Sequence, residues 1–91
     1  MPTIYKTELQ LIESQKVTLP EDAEILCAQV QKGNVCVWYR IEPSMCVPDK
    51  ARTIEICGTG NGCPESDKSK YLGTVQINEG DYIFHVFETI E

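Results

Sequence analysis

The segment from residue 25 to residue 41 constrains the fold more than any other part of the chain. It carries strand-forming residues on both sides of Gly33-Asn34, a pair with glycine first that is typical of a type II′ turn. Pairing Lys32 with Val35 across this turn gathers apolar residues on one face, and a slip of one residue would mix them with polar ones. The segment is therefore predicted to be a β-hairpin. Its predicted core face consists of Leu26, Ala28, Val30, Val37, Tyr39 and Ile41.

The rest of the chain shows strand patterns rather than helix patterns. Further strands are predicted at 3–11, 16–19 and 52–57, and a second hairpin is predicted to join 71–77 to 82–88. Its predicted register places Ile77 opposite Tyr82, Thr74 opposite His85 and Leu72 opposite Phe87. No segment has the sustained apolar period of a helix. For 91 residues, this predicts a single domain spanning residues 1–91. The predicted fold is all-β, a small antiparallel β-sandwich or part-closed barrel of six to seven strands.

The charge balance argues against some classes of partner. The formal net charge is -6 and no basic stripe is present, which disfavours binding to nucleic-acid polymers. No apolar run approaches the ~20 residues that span a bilayer, and the N-terminal segment lacks the pattern of a signal peptide. No membrane association is expected. The five cysteines are expected to be reduced thiols in a cytoplasm. Cys57 and Cys63 flank a glycine-rich loop and could approach each other across it, although ordinary thiols are expected there as well.

This glycine-rich loop has two interpretations. Gly58, Gly60 and Gly62 occupy alternate positions, with Thr59 and Asn61 between them. In one interpretation the backbone N–H groups form a concave site for phosphate or another ligand. In the other, the glycines only supply positive φ values in a connection. The spacing matches neither a Walker motif nor a dinucleotide fingerprint, since no helix pattern follows, and both interpretations stay open.

Two other places carry chemically versatile side chains. Trp38 and Arg40 are predicted on the less apolar face of the first hairpin, beside Gln29 and Gln31. Three roles are open for these residues: they stack on and hydrogen-bond a nucleobase, they form the centre of a subunit interface, or Trp38 covers a second core layer. His85 lies mid-strand among apolar residues, which is more typical of a half-buried histidine than of a general base. No Ser-His-Asp, Cys-His or zinc-ligand arrangement is visible, so no catalytic residue, metal or cofactor is predicted.

Several motifs together resemble a known family. They are Thr3-Ile4-Tyr5-Lys6, Ala23-Glu24-Ile25-Leu26, Gln29-Val30-Gln31, Val35-Cys36-Val37-Trp38, Gly58-Thr59-Gly60, Tyr71-Leu72-Gly73-Thr74 and Phe84-His85-Val86-Phe87-Glu88. In these motifs the chain resembles a family of short uncharacterised proteins encoded by phages and prophages. It departs from the family pattern after Gly60, where Asn61-Gly62-Cys63-Pro64 stands in place of a His-Pro continuation.

The resemblance implies a phage protein that works in the host cytoplasm. By analogy with small phage proteins, we expect a non-enzymatic, homo-oligomeric binding protein without a cofactor. Its expected role is that of an anti-defence sponge, which sequesters a nucleotide immune signal of the cyclic dinucleotide or cyclic ADP-ribose type. Its expected ligand-binding residues are Trp38, Arg40, Arg52, Gly58, Thr59, Gly60, Asn61 and His85. One alternative is an inhibitor that blocks a host defence or nucleic-acid enzyme by protein–protein contact. Another is a minor virion or assembly component.

Overall fold

The computed structural model describes residues 1–43 and 46–90. Seven β-strands account for most of them, and one short 3-10 helix, Ser66–Lys68, precedes the sixth strand. No helix in these two ranges is long and apolar enough to cross a membrane. The strands are β1 (Thr3–Glu8), β2 (Ser14–Pro20), β3 (Glu24–Gln31), β4 (Asn34–Ile41), β5 (Asp49–Gly58), β6 (Ser69–Ile77) and β7 (Tyr82–Thr89).

The strands form two antiparallel sheets that pack face to face. Sheet A has three strands in the order β1-β4-β3, and sheet B has four in the order β2-β5-β7-β6. Strands β3 and β6 approach each other at one side of the molecule, but they do not pair, so the sheets do not close into a barrel. The all-β prediction is confirmed, and of its two forms the chain adopts the seven-stranded sandwich.

One hydrophobic core fills the space between the sheets. Because side chains alternate across a strand, every second residue of the inner strands faces this core. The core residues that are almost completely buried come from both sheets: Ile25 is 1% exposed, and Val37, Ile54 and Val86 are 0% exposed. The remaining core members are Leu9, Leu19, Ala23, Ala28, Val35, Ile56, Leu72 and Val75.

The turn of the first hairpin lies one residue earlier than predicted. Gln31 pairs with Asn34, so the two turn residues are Lys32 and Gly33 rather than Gly33-Asn34. Both have positive φ values, 51° and 82°, as a type I′ turn requires. The pairing of β3 with β4 is therefore shifted by two residues. Since side chains alternate with a period of two, this shift leaves the same residues on the core face.

A β-bulge changes the other end of this hairpin. The register shifts between Ile25, which pairs with Tyr39, and Cys27, which pairs with Trp38. The bulge moves Ile25 onto the core face and leaves Leu26 only half-buried, so the prediction that Leu26 is a core residue is wrong. The rest of the predicted core face is confirmed, since Ala28, Val30, Val37, Tyr39 and Ile41 all belong to the core or pack against it.

The second hairpin has the predicted register as far as a second bulge. Ile77 pairs with Tyr82, and the pairing continues without interruption to Gly73 opposite Val86. The register then shifts, so Phe87 lies opposite Tyr71 instead of the expected residue 72. A Cβ atom at Gly73 would lie 2.7 Å from the backbone carbonyl oxygen of Ala28 in β3. Glycine at this position therefore allows β3 and β6 to approach closely.

Candidate functional site

The residues predicted to bind a ligand lie in three separate parts of the molecule. Trp38 and Arg40 lie on the outer face of sheet A, since their neighbours Val37 and Tyr39 face the core. Arg52 lies in the first half of β5 on the inner side of sheet B. The end of β5 gathers the others, which are Gly58, Thr59, Gly60, Asn61 and His85. The structure does not bring these residues together as one site within a single copy of the chain.

The outer face of sheet A is occupied by its own side-chain pairs. Arg40 Nε donates to Glu24 Oε1 at 3.0 Å, and Arg40 Nη2 bonds to the same oxygen. The hydrogen bond from Arg40 and its positive charge lower the pKa of Glu24. Lys6 in β1 bonds across the sheet to Gln31 in β3. The guanidinium of Arg40, one of the expected ligand-binding groups, is therefore engaged with a carboxylate.

Arg52 connects sheet B to the end of the β2–β3 connection, at the opposite end of β5 from the glycine-rich loop. Its Nε donates to Glu88 Oε2 at 2.5 Å, and its Nη1 donates to the carbonyl oxygen of Ala23 at 2.9 Å. The side chains of Arg52 and Glu88 are only 16% and 10% exposed. Beside them, Lys70 Nζ donates to the carbonyl oxygen of Ile25 at 2.7 Å. These contacts hold the start of β3 against sheet B, which is a structural role.

A groove lies along the end of β5, and we call it the β5-end groove. It forms because β2 pairs with β5 only as far as Glu55, after which the edge of β5 has no strand beside it. The β1–β2 connection closes one wall, where Ile56 N donates to the Glu13 carbonyl oxygen at 2.9 Å. Residues 61–64 form the opposite wall, and the chain reverses there as Asn61 N donates to Gly58 O at 3.0 Å. The groove encloses about 600 Å³.

The lining of the β5-end groove is apolar and negatively charged. Leu11 and Ile12 on the β1–β2 connection are 52% and 45% exposed, which is high for such large apolar side chains. Glu13 and Glu55 add two carboxylates, and Glu55 Oε2 accepts a hydrogen bond from Thr89 Oγ1 at 2.7 Å. Within the described part of the chain, no lysine or arginine lines this groove. Its chemistry favours an apolar or cationic ligand group over an anionic one.

His85 ties the glycine-rich loop to sheet B. Its Nε2 lies 2.8 Å from Thr59 Oγ1 and its Nδ1 lies 2.9 Å from Thr74 Oγ1. The hydroxyl of Tyr71 is also hydrogen-bonded to the Thr74 hydroxyl. A neutral imidazole has one N–H, so one ring nitrogen donates and the other accepts. His85 is thus half-buried and fully bonded, and the predicted register already placed Thr74 opposite it.

The thiol of Cys57 in the groove is not an activated nucleophile. Burial, then Cys63, then Glu55 raise the pKa of Cys57, so its thiol stays protonated at neutral pH. Cys57 Sγ donates to the His85 carbonyl oxygen at 3.7 Å. Across residues 1–43 and 46–90, no cluster of three or more histidine, cysteine or acidic side chains is arranged to hold a metal ion.

The side chains that make the groove apolar and negatively charged were not predicted from the sequence. Leu11, Ile12, Glu13 and Glu55 all line it, yet none was predicted as a site residue. An adjacent pair of large apolar residues in a connection, Leu11-Ile12, was the available signal. The two glutamates carry no signal of their own, because their proximity depends on where β2 stops pairing with β5.

A seven-stranded antiparallel sandwich with a groove beside its fifth strand defines a small all-β domain. This chain matches the family of domains of unknown function DUF7352 over residues 1–91, and it belongs to that family. The match confirms the expectation of an uncharacterised family. Comparisons with curated proteins and with solved structures found no match. The nucleotide ligand, the homo-oligomer and the host location stay predictions.

Proposed function

We propose that this chain is a phage-encoded, non-enzymatic binding protein that acts on a host protein by direct contact through the β5-end groove. The observation that carries the proposal is the lining of the groove, where the apolar side chains of Leu11 and Ile12 lie beside the carboxylates of Glu13 and Glu55. The motifs shared with phage and prophage proteins support the origin. The mode of action corresponds to the inhibitor alternative reached from the sequence.

The occupant of the groove is a segment of the partner that presents an apolar side chain next to lysine or arginine. Apolar contact with Leu11, Ile12 and Phe84 supplies the burial, and Glu13 and Glu55 supply charge complementarity. The net charge of -6 adds long-range attraction to a basic surface and accelerates association at low salt. Association is therefore expected to weaken as the salt concentration rises.

Nucleotide capture by a single copy is less compatible with these contacts. A phosphate in the groove would face Glu13 and Glu55, while the guanidinium groups of Arg40 and Arg52 bond to carboxylates elsewhere. A catalytic role is also disfavoured, because both ring nitrogens of His85 already have hydroxyl partners. No contact among residues 1–43 and 46–90 favours the virion alternative.

A titration followed by nuclear magnetic resonance tests this proposal. The probes are two capped peptides of equal length, one alternating leucine with lysine and one alternating leucine with glutamate. The basic peptide is expected to shift the amide signals of Ile12, Cys57 and Asn61 in a saturable way, with a Kd on the order of 1 mM. The acidic peptide is expected to leave them unchanged.

The same titration distinguishes the alternatives. If neither peptide shifts the groove signals, or if both shift them equally, the proposed recognition is wrong. A cyclic dinucleotide is added in a third arm. Saturable shifts of Gly58, Thr59 and Asn61 with this ligand alone would overturn protein contact in favour of nucleotide capture.

A further inference from the structure

We propose that Cys57 and Cys63 form a redox-active dithiol, which small-molecule disulfides convert into an intramolecular disulfide that closes the β5-end groove. The bond itself depends only on the two thiols and the loop between them. Its effect on binding rests on the proposed function. This goes against the sequence-based expectation that both cysteines are ordinary thiols.

The two side chains line the same groove. Cys57 lies near the end of β5, and Cys63 lies in the wall formed by residues 61–64. The chain between them reverses direction, since Asn61 N donates to Gly58 O at 3.0 Å. A connection of this length closes at a small entropic cost when a bond forms between its ends.

The connection between Cys57 and Cys63 has room to adjust. Gly60 has a φ of 89°, and a Cβ atom at either Gly60 or Gly62 would meet nothing within 4 Å. Disulfide formation requires a narrow range of Cβ–Cβ separations, so one of the two cysteines must be able to move. Cys57 is held in β5, whereas Cys63 lies in an irregular, exposed segment. Cys63 is therefore the residue that moves when the bond forms.

The two thiols differ in their environments. Burial is the main cause that raises the pKa of Cys57, and Cys63 and Glu55 add to it. Cys57 is half-buried and Cys63 is exposed. These environments assign the order of events: the exposed Cys63 reacts first with the incoming disulfide, and the more shielded Cys57 completes the bond.

The reaction balances as two thiol–disulfide exchanges. The Cys63 thiolate attacks one sulfur of a small disulfide and releases one thiolate, leaving a mixed disulfide on Cys63. Cys57 then loses its proton to solvent and attacks the Cys63 sulfur, which releases the second small thiolate. Two protein thiols are oxidised, one small disulfide is reduced to two thiols, and the two protons end on those thiols. The carboxylates of Glu13 and Glu55 favour neutral or cationic disulfides over glutathione disulfide, which is anionic.

The other cysteines provide internal controls. Cys36 is buried, Cys27 is half-buried on sheet A, and Cys46 is exposed. None of these three lines the β5-end groove. Trypsin separates them from the proposed pair, since the peptide Thr53–Lys68 contains Cys57 and Cys63 and no other cysteine.

The test is oxidation of the folded protein by hydroxyethyl disulfide, followed by alkylation with N-ethylmaleimide, trypsin digestion and mass spectrometry. The peptide Thr53–Lys68 is expected without alkylation and about 2 Da lighter than its reduced form, because two hydrogen atoms are lost. C57S is expected to trap the intermediate as a mixed disulfide on Cys63, which adds about 76 Da. C46S, the control at an exposed thiol outside the groove, is expected to form the internal bond as the unchanged chain does.

Three results would overturn the proposal: mixed disulfides on both cysteines without the internal bond, pairing of Cys63 with Cys46, or no reaction of the pair at all. The regulatory part is tested separately by titrating the oxidised protein with the leucine–lysine peptide. We expect at least a tenfold loss of affinity relative to the reduced protein. If the reduced protein does not bind the peptide, the proposed function fails, while the mass measurement still decides whether the dithiol exists.

Discussion

The ion pair between Arg52 in β5 and Glu88 in β7, two neighbouring strands of sheet B, allows a quantitative test of what a partly buried charge pair contributes to stability. Arg52 was a candidate ligand-binding residue in the sequence, whereas the structure engages it with Glu88 and with the carbonyl oxygen of Ala23. Glu88→Gln removes the negative charge and keeps the size and a hydrogen-bond acceptor. The guanidinium of Arg52 then stays in its partly buried position without a counter-charge.

The expected loss follows from the burial of the pair. Removing one partner of a buried ion pair costs about 3–5 kcal/mol, because the other charge is left uncompensated. Arg52 and Glu88 are 16% and 10% exposed, and Arg52 keeps its bond to Ala23, so the cost here is reduced. We expect Glu88→Gln to lower the free energy of unfolding by about 2–4 kcal/mol. For a domain of this size, that corresponds to a fall in Tm of about 10–25 °C.

Urea denaturation and thermal melting measure this loss, and the chain offers a matched control. Glu24 and Arg40 form an ion pair of the same type on the exposed face of sheet A. Glu24→Gln is expected to leave the denaturation midpoint unchanged, since exposed pairs contribute little. The double variant R52L/E88L is expected to recover most of the stability lost in E88Q. Equal effects of E88Q and E24Q would refute the reasoning.

Two further predictions concern the first hairpin. Ile25→Ala is expected to lower the free energy of unfolding by about 3–4 kcal/mol and Leu26→Ala by about 1 kcal/mol. The reason is that the bulge buries the first side chain and leaves the second half-exposed. Urea denaturation measures both losses, and a larger loss for Leu26→Ala than for Ile25→Ala would contradict the prediction. Arg40→Gln is expected to raise the pKa of Glu24 toward its ordinary value, as followed by carboxyl resonances during an acid titration. The pKa of Glu24 is lowered in the folded protein. The stability that the Glu24 carboxylate contributes through Arg40 is therefore present above the unfolded-state pKa of Glu24 and is lost as the pH falls through its folded-state pKa.

The faces of the first hairpin could be predicted from the sequence although its turn could not. Both Lys32-Gly33 and Gly33-Asn34 are plausible turns, and the choice between them moves the pairing by two residues. A shift of two preserves which side chains face the core, and this is why Ala28 and Val37 were assigned correctly. The bulge at Leu26 has no comparable signal, because it inserts one extra residue into β3 and so departs from the regular alternation on which the prediction rests.

The candidate site was predictable only where it depends on local pairing. The second hairpin places Thr74 opposite His85, and its register followed from the turn and the apolar alternation. The positions of Glu13 and Arg52 depend on contacts between segments far apart in the sequence. Glu13 reaches Ile56 because its neighbour Ser14 pairs with Glu55 in β5, and such pairing between distant segments is not encoded in a local pattern.

The central claim is that the β5-end groove recognises a basic, apolar segment through its own carboxylates. Calorimetric titration of the leucine–lysine peptide into E13Q/E55Q and into E21Q/D22N tests it most directly, because both double variants remove two negative charges. Glu21 and Asp22 lie in the turn between β2 and β3, outside the groove. We expect at least a tenfold loss of affinity, about 1.4 kcal/mol, for E13Q/E55Q and less than a twofold change for E21Q/D22N. Equal losses in the two variants would show that only net charge matters and would contradict the account.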